Sequence, residues 1–402
     1  MKKIFKRKVL KNGLTILFEK RKVPVVSMAF AVRAGGIHET EQEKGISHFI
    51  EHMLYKGTKT RSAKQIAQEI EKNGGELNGF TSEELVAYWC KLPSKKLNIG
   101  LDVLADLIKD PLFDKKELEK ERKVIFEEIK LYRDNPQMYV FDEIQKSLYT
   151  GTMGINLVGT FETMNFINRE KIVKKFREIY EPNNFVLCVV GDADFNEIVD
   201  FAEKEFGNEK GKISNQKFDL KNSEKTEKRK GLDQANLVFA YHVPLADDKN
   251  SYSARVLSCL MAEGMSSRLF AEIREKRNLA YSVKGGSNIH KNFAYNFIYV
   301  GTMKENVEKV KKLILEEFEK VAGGLDEKEL RQTKEQLVGN YYISMEDSQA
   351  QMVNLLVSEI HGNAKEFYEF EKNVLRVNLK DVKNMAFKIK EKYSFFALIP
   401  ES

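Results

Sequence analysis

Two histidines and a glutamate stand close together in the segment HFIEH, residues 48–52. On a helix, residues i and i+4 project from the same face, so His48 and His52 can both reach one zinc ion. Glu51 lies on the same side, where it can contact a water beside the metal without being a ligand. The spacing therefore predicts a hydrolytic zinc site in which Glu51 activates the attacking water as general base.

A catalytic zinc site needs a third protein ligand, and a carboxylate is a usual choice. Residues 115–133 alternate at helical period and contain Glu121 and Glu128, seven positions apart and therefore on nearly the same face. One of the two can bind the metal while the other orients a ligand histidine. Taken alone, both could equally be surface carboxylates that pair with Arg122 or with lysines. The order H-x-x-E-H favours the metal site, because it is known as the inverzincin signature of zinc peptidases.

These motifs together resemble the pitrilysin/insulinase family of zinc peptidases, in particular its branch of mitochondrial processing peptidase and prokaryotic relatives. The resemblance covers essentially the whole chain. GISHFIEHMLYKGT (45–58) is similar to the metal helix of the family, and ERKVIFEE (121–128) is similar to its second metal helix. The resemblance implies one Zn²⁺ per chain with three ligands: His48, His52 and Glu128. It makes Glu121 a supporting carboxylate, and the motif spacing favours Glu128 over the adjacent Glu127.

A further segment resembles the edge strand that lies beside the metal in this family. It reads GGELNGFTSEE and covers residues 74–84. By this resemblance, Asn78 and Phe80 border a substrate peptide that adds to the sheet as an extra strand.

In the second half, MSSRLFAEIREKRNLAYSV (265–283) is similar to the family segment that carries an arginine–tyrosine pair. The pair falls on Arg274 and Tyr281, and Arg277 is the alternative arginine. Its role in the family is to bind the substrate backbone and to stabilise charge on the carbonyl oxygen.

The chain also contains two similar halves. FDKKEL (113–118) is echoed by LDEKEL (325–330), and NREKIVKKFREIYEPNNFVLCVV (168–190) is echoed by NLKDVKNMAFKIKEKYSFFALIP (378–400). Repeats of this length indicate an internal duplication. We therefore predict an α+β fold with two homologous domains, each a mostly antiparallel sheet with helices packed on one side.

Residues 207–230 are polar and lysine-rich, and they separate the two copies. The predicted domains are a metal-binding domain at 1–206 and a homologous domain without metal ligands at 231–402, with 207–230 as the linker. An offset of 212 residues places Thr333 opposite Glu121 and Asn340 opposite Glu128. The second copy is therefore predicted to hold no metal.

Local patterns predict the elements that must position these groups. An apolar strand is expected at 25–32 and a helix at 41–55, which carries both histidines. Ser62 is a plausible N-cap for a second helix that ends at Lys72. Helices are also expected at 97–109 and 115–133.

Composition excludes several classes of protein. The net charge of +6 comes from 66 basic and 60 acidic residues that are interleaved, so no nucleic-acid surface is predicted. No apolar run is long enough to span a bilayer, so no membrane partner is expected. The cysteines lie far apart, which predicts free thiols in a reducing compartment and therefore a cytoplasmic protein: Cys90, Cys188 and Cys259.

The resemblance implies a zinc metalloendopeptidase that hydrolyses peptides or unfolded polypeptide segments inside a closed chamber. In this family four such domains enclose the chamber, so a chain with both the zinc helix and the arginine–tyrosine pair is expected to form a homodimer. In the family, presequence recognition by the processing peptidase is linked to a glycine-rich loop. Met261–Gly264 departs from this run, which argues against a specific role in presequence processing. Two alternatives stay open: a non-catalytic structural subunit of the same fold, and a subunit active only with a separate partner chain.

Overall fold

The strands of the protein form two sheets in a computed structural model that describes residues 4–401. The chain divides into two compact units. One unit comprises the described residues up to Leu131, together with Ile155–Lys217 and Ser344–Ile360. The other comprises Tyr132–Gly154, Phe218–Ile343 and the described residues from His361 onward.

The sheet of the first unit has six strands in the order β1-β2-β6-β3-β5-β4. Their bounds are β1 Ile4–Val9, β2 Thr15–Lys20, β3 Val25–Val32, β4 Glu76–Thr81, β5 Val86–Pro93 and β6 Phe185–Gly191. Neighbouring strands are antiparallel except β2 and β6, which are parallel. Strand β4 therefore forms one edge of this sheet, and that edge lies next to the helix that carries the histidines.

The sheet of the second unit has five strands in the order β7-β11-β8-β10-β9. Their bounds are β7 Glu224–Arg229, β8 Ala235–His242, β9 Ala280–Ile289, β10 Ala294–Thr302 and β11 Ser394–Pro400. Again one pair, β7 and β11, is parallel and the others are antiparallel. This order repeats β2-β6-β3-β5-β4 of the first sheet. The predicted α+β class with two homologous halves is confirmed.

Helices connect and cover the strands in both units. The α-helices of the described residues are α1 Ile46–Leu54, α2 Ala63–Glu71, α3 Leu97–Lys109, α4 Lys115–Asp134, α5 Pro136–Leu148, α6 Phe161–Phe166, α7 Arg169–Ile179, α8 Phe195–Glu205, α9 Ser251–Ala262, α10 Val307–Gly324, α11 Glu327–Ser344, α12 Ser348–His361, α13 Phe370–Arg376 and α14 Leu379–Ile389. Among residues 4–401, no helix combines the length and apolarity that a bilayer crossing requires.

Strand β3 shows how the first sheet is buried on both faces. Its alternate residues Met28 and Phe30 belong to the apolar core that also contains residues of α1 and α3. Ser27 points to the other face, where its hydroxyl lies 2.8 Å from the hydroxyl of Ser348 at the start of α12. Burial of both faces explains why β3 and β6 read as continuous apolar runs rather than as alternating ones.

Two helices are exchanged between the halves: each belongs to the compact unit that is formed mainly by the half of the sequence from which the helix does not come. Helix α12 comes from the second half of the sequence but packs on the first sheet. Helix α5 comes from the first half but contacts β8 and β11. The exchange is symmetrical, as expected if the two halves arose by an internal duplication.

The predicted strand at 25–32 and the predicted helix at 97–109 are confirmed. Ser62 is confirmed as an N-cap, because its side chain accepts from the backbone N–H of Gln65. The helix expected at 41–55 begins later, at Ile46, because Gly45 adopts a left-handed φ of 93° that interrupts it. Strand β7 lies inside the stretch 207–230 that the sequence predicts to be a linker.

Candidate metal centre

The start of helix α1 is held in place from two sides. The buried carboxylate of Glu39 accepts hydrogen bonds from the backbone N–H of Gly45, at 2.9 Å, and of Ser47, at 2.7 Å. A Cβ at position 45 would stand 2.7 Å from the carbonyl oxygen of Val158, so only glycine fits. These contacts satisfy N–H groups that a helix leaves free at its N-terminus. They fix the origin of the helix from which His48, Glu51 and His52 project.

The two histidines meet Glu128 of helix α4. His48 Nε2 lies 3.6 Å from Glu128 Oε2, and His52 Nε2 lies 3.7 Å from the same oxygen. Both distances exceed a normal hydrogen bond. They are close to the separation of roughly 3.3 Å between two ligands of a tetrahedral zinc ion with bonds of about 2.0–2.1 Å. The geometry and the donor types of these three residues therefore fit a zinc ion.

Glu121 contacts the outer nitrogen of one of these histidines. Its Oε2 lies 3.1 Å from His52 Nδ1, and its Oε1 lies 2.8 Å from Lys56 Nζ. An acceptor on Nδ1 leaves Nε2 of the same ring for a metal, which is the arrangement that orients ligand histidines in zinc sites. Glu127, the alternative ligand, is largely exposed and pairs with Lys130 at 2.8 Å.

Glu51 lies next to this cluster and is held by strand β4. The hydroxyl of Thr81 donates a hydrogen bond of 2.6 Å to Glu51 Oε2. Burial raises the pKa of Glu51 above its ordinary value, while the bond from Thr81 acts in the opposite direction. Burial, with a smaller effect of His52, lowers the pKa of His48 to about 3. A neutral imidazole is the form that binds a metal.

Strand β4 presents different residues to its two faces. Gly79 and Thr81 face Glu51. Asn78 and Phe80 alternate with them and so lie on the opposite face of the strand, with Asn78 exposed. The structure therefore does not bring Asn78 and Phe80 against Glu51. Sequence reasoning missed Thr81, although its place one residue beyond Phe80 in a predicted strand was a usable signal.

In the second unit, Arg274 and Tyr281 lie together. The guanidinium carbon of Arg274 is 5.1 Å from the centroid of the Tyr281 ring, and Tyr281 is 82% exposed. Arg274 stands in the π-helix Phe270–Glu275, a distortion that is frequent at functional sites. Arg277 is bound instead to Glu272. The geometry thus pairs Tyr281 with Arg274 rather than with Arg277.

The positions predicted to match the carboxylates in the second copy both lie on helix α11. Thr333 is buried and donates to the carbonyl oxygen of Glu329 at 2.9 Å, and Asn340 is exposed. A hydroxyl and an amide therefore stand on α11 at the positions that match the two carboxylates of α4.

Comparison with known proteins agrees with these features. Residues 15–160 match the family model described as Insulinase (Peptidase family M16), and residues 167–337 match the model described as Peptidase M16 inactive domain. The zinc protease YmxG of Bacillus subtilis is 33% identical over 389 residues, which cover 95% of each chain. A zinc protease of Rickettsia felis is 33% identical over 86% of this chain and 85% of its own. Both relatives are described as uncharacterized.

Solved structures share the fold over the whole length. A protease from Helicobacter pylori has a TM-score of 0.92 at 21% identity and covers 99% of this chain and 100% of its own. A peptidase M16 inactive domain from Pseudomonas fluorescens has a TM-score of 0.89 at 20% identity, with coverage of 99% and 98%. The family models and the relatives at 33% identity confirm the resemblance seen in the motifs. The chain belongs to the insulinase family of peptidases, family M16.

Proposed function

We propose that the protein is a zinc-dependent endopeptidase that hydrolyses peptides or unfolded polypeptide segments. One observation carries the proposal: two imidazole nitrogens lie 3.6 and 3.7 Å from a single carboxylate oxygen, with the half-buried Glu51 beside them. His48, His52 and Glu128 hold one Zn²⁺, and Glu121 orients His52. The names of the bacterial relatives support zinc as the metal.

Zinc at this position supplies Lewis-acid activation of water and of the scissile carbonyl. Glu51 takes the proton of the attacking water and passes it to the leaving amine, as general base and then general acid. The hydrogen bond from Thr81 to Oε2 of Glu51 holds one oxygen of this carboxylate in place. The raised pKa of Glu51 suits this role, since a general base works best with a pKa near the working pH.

The substrate is an extended peptide that adds as a strand to the free edge of β4. Its side chains run past Asn78 and Phe80. Arg274 and Tyr281 bind the peptide backbone and donate to the developing oxyanion. In a homodimer, the pair of one chain serves the zinc site of its partner. An enclosed chamber formed in this way favours unfolded segments over folded proteins.

The proposed location is the cytoplasm. Three free, buried thiols support it, because a reducing compartment is where such residues stay unpaired: Cys90, Cys188 and Cys259.

Two alternatives share the same fold. The match of residues 167–337 to an inactive domain favours a second half without a metal site of its own. It also keeps open a non-catalytic structural subunit, or a chain active only beside a separate partner. The H-x-x-E-H motif and Glu128 count against the first of these, because a structural subunit has no use for a complete metal set.

The test uses the purified full chain by itself with an internally quenched peptide. The proposal expects about one zinc per chain, hydrolysis that a chelator abolishes, and recovery when zinc is restored. Zinc without hydrolysis would point to a missing partner chain. Absence of both zinc and hydrolysis would point to a structural subunit.

A further inference from the structure

Strand β4 contacts the carboxylate of Glu51 through two of its residues. These residues, Gly79 and Thr81, share one face of the strand because they are two positions apart. The contact is notable because β4 is also the edge strand of its sheet. One short element thus borders both the proposed peptide path and the proposed base.

Thr81 holds one oxygen of the carboxylate. Its Oγ1 donates to Glu51 Oε2 at 2.6 Å, a short bond of the kind that a charged acceptor makes. Both side chains are largely shielded from solvent. A hydrogen bond to a carboxylate in such surroundings restricts where the side chain can turn, since a rotated Glu51 would lose it.

Gly79 leaves room for the other oxygen. A Cβ at this position would stand 3.1 Å from Glu51 Oε1, 2.5 Å from the hydroxyl of Tyr55 and 2.9 Å from the carbonyl oxygen of Ala87. The last of these is backbone and cannot move aside without disturbing the pairing of β4 with β5. Any side chain at position 79 would therefore displace Glu51 or Tyr55, or shift the strand.

We propose that Thr81 and Gly79 are positioning residues for the general base. Thr81 anchors Oε2, and the bare Cα of Gly79 admits Oε1, so that strand β4 determines where Glu51 takes its proton. The inference rests on the proposed function, because it needs Glu51 to act as a base. It adds that the strand proposed to receive the substrate also fixes the position of Glu51. Substrate binding and proton transfer would then depend on one element of the fold.

The first experiment compares the zinc-loaded full chain with Thr81→Val, Thr81→Ser and a matched control, Thr226→Val. Thr226 is an exposed threonine in strand β7 of the other sheet. Thr81→Val should lower kcat about 10- to 100-fold, as expected for a residue that orients a group in a metal site, and leave KM within about twofold. Thr81→Ser keeps the hydroxyl and should restore kcat to within about threefold of the original chain. Zinc content should not change in any variant.

A second measurement does not depend on turnover. Crystal structures of the original chain and of Thr81→Val should show the Glu51 carboxylate displaced or in several orientations in the variant. Gly79→Ala should displace Glu51 or Tyr55 and lower kcat at least as much. If Gly79→Ala does not fold, Thr81→Val still decides the question.

The outcomes separate this inference from the proposed function. Hydrolysis by the original chain with equal kcat in Thr81→Val would overturn the inference and leave the function standing. Loss of zinc or of folding in Thr81→Val, or no rescue by Thr81→Ser, would make Thr81 merely structural and also overturn it. Absence of hydrolysis by the original chain would refute the function proposed for it and, with it, the catalytic part of the inference. In that case an unmoved Glu51 in the variant crystal would refute the positioning as well, and a displaced one would support Thr81 only as the residue that holds this carboxylate.

Discussion

His52 Nδ1 lies 3.1 Å from Glu121 Oε2, so helix α4 fixes one nitrogen of this ring while the other faces Glu128 on the same helix. The two carboxylates are two turns apart, and each meets a different edge of the imidazole. In the proposed site, helix α4 therefore supplies one ligand and orients another. The relationship predicts a measurable role of Glu121 in metal affinity.

Glu121→Gln should weaken zinc binding about 10- to 100-fold, because the charged acceptor on His52 Nδ1 is lost. Competition with a chromophoric zinc chelator measures this affinity. Glu127→Gln is the matched control, since Glu127 is exposed on the same helix and pairs with Lys130. Equal affinity in Glu121→Gln and Glu127→Gln would contradict the orienting role.

Glu51→Gln should keep zinc and lose hydrolysis. The amide retains the size of the side chain but cannot accept a proton, and loss of a general base costs about 10²- to 10⁴-fold in rate. Zinc content and the rate on a quenched peptide are measured on the same preparation. Turnover at the original rate would show that another group is the base.

Tyr281→Phe should lower kcat/KM, because it removes a hydroxyl proposed to donate to the oxyanion. One such donor is worth about 3 kcal/mol, or roughly 100-fold. The phenyl ring can still stack under Arg274. Arg274→Lys should reduce activity similarly, whereas Arg277→Lys should have little effect because Arg277 is bound to Glu272. A larger loss in Arg277→Lys than in Arg274→Lys would reverse the assignment.

His38 should make the fold less stable in mild acid. The residue is buried, and burial lowers the pKa of His38 to about 4, whereas an unfolded histidine titrates near about 6.5. Between these values the unfolded chain binds the proton more readily, so stability falls as pH drops from about 6.5 to 4, by about 3 kcal/mol in total. Above this range His38 is neutral in both states and adds no pH dependence.

His38→Asn should reduce this loss, because an amide does not titrate while its oxygen can still accept from the backbone N–H of Gly35. Urea unfolding midpoints at pH 7 and pH 4.5, with chelator present in every sample, measure the effect. His48, whose pKa is also lowered, contributes equally to both proteins. Parallel loss of stability in the two proteins would rule out His38 as a source.

Much of the site could be predicted because its signals are local. His48, Glu51 and His52 lie within one helical turn or so, and the spacing alone puts them on one side of a helix. The strand at Val25–Val32 and the capping of α2 by Ser62 likewise follow from patterns of a few residues. The first residue of α1 is harder to predict from the sequence, because Gly45 is followed by helix-forming residues and preceded by a segment with a helical pattern.

Other features depend on packing between distant segments. The position of α12 on the first sheet, marked by the contact of Ser27 with Ser348, is invisible to local patterns. Thr81 was missed for the same reason: its importance comes from the side chain it meets, which belongs to another element. The choice of Glu128 over Glu127 rested on resemblance, and the structure adds a geometric reason for it.

The amino-acid sequence was enough to predict the kind of chemistry, because two histidines and a glutamate at helical spacing specify the face they share and the metal they suit. It was also enough to predict the duplicated α+β plan, since both copies carry the same order of apolar segments. Which distant groups complete the proposed site became visible only from the packing of the elements. Contacts such as Glu128 with His48, Glu121 with His52 and Thr81 with Glu51 join separate elements, and their distances depend on how the helices and strands pack.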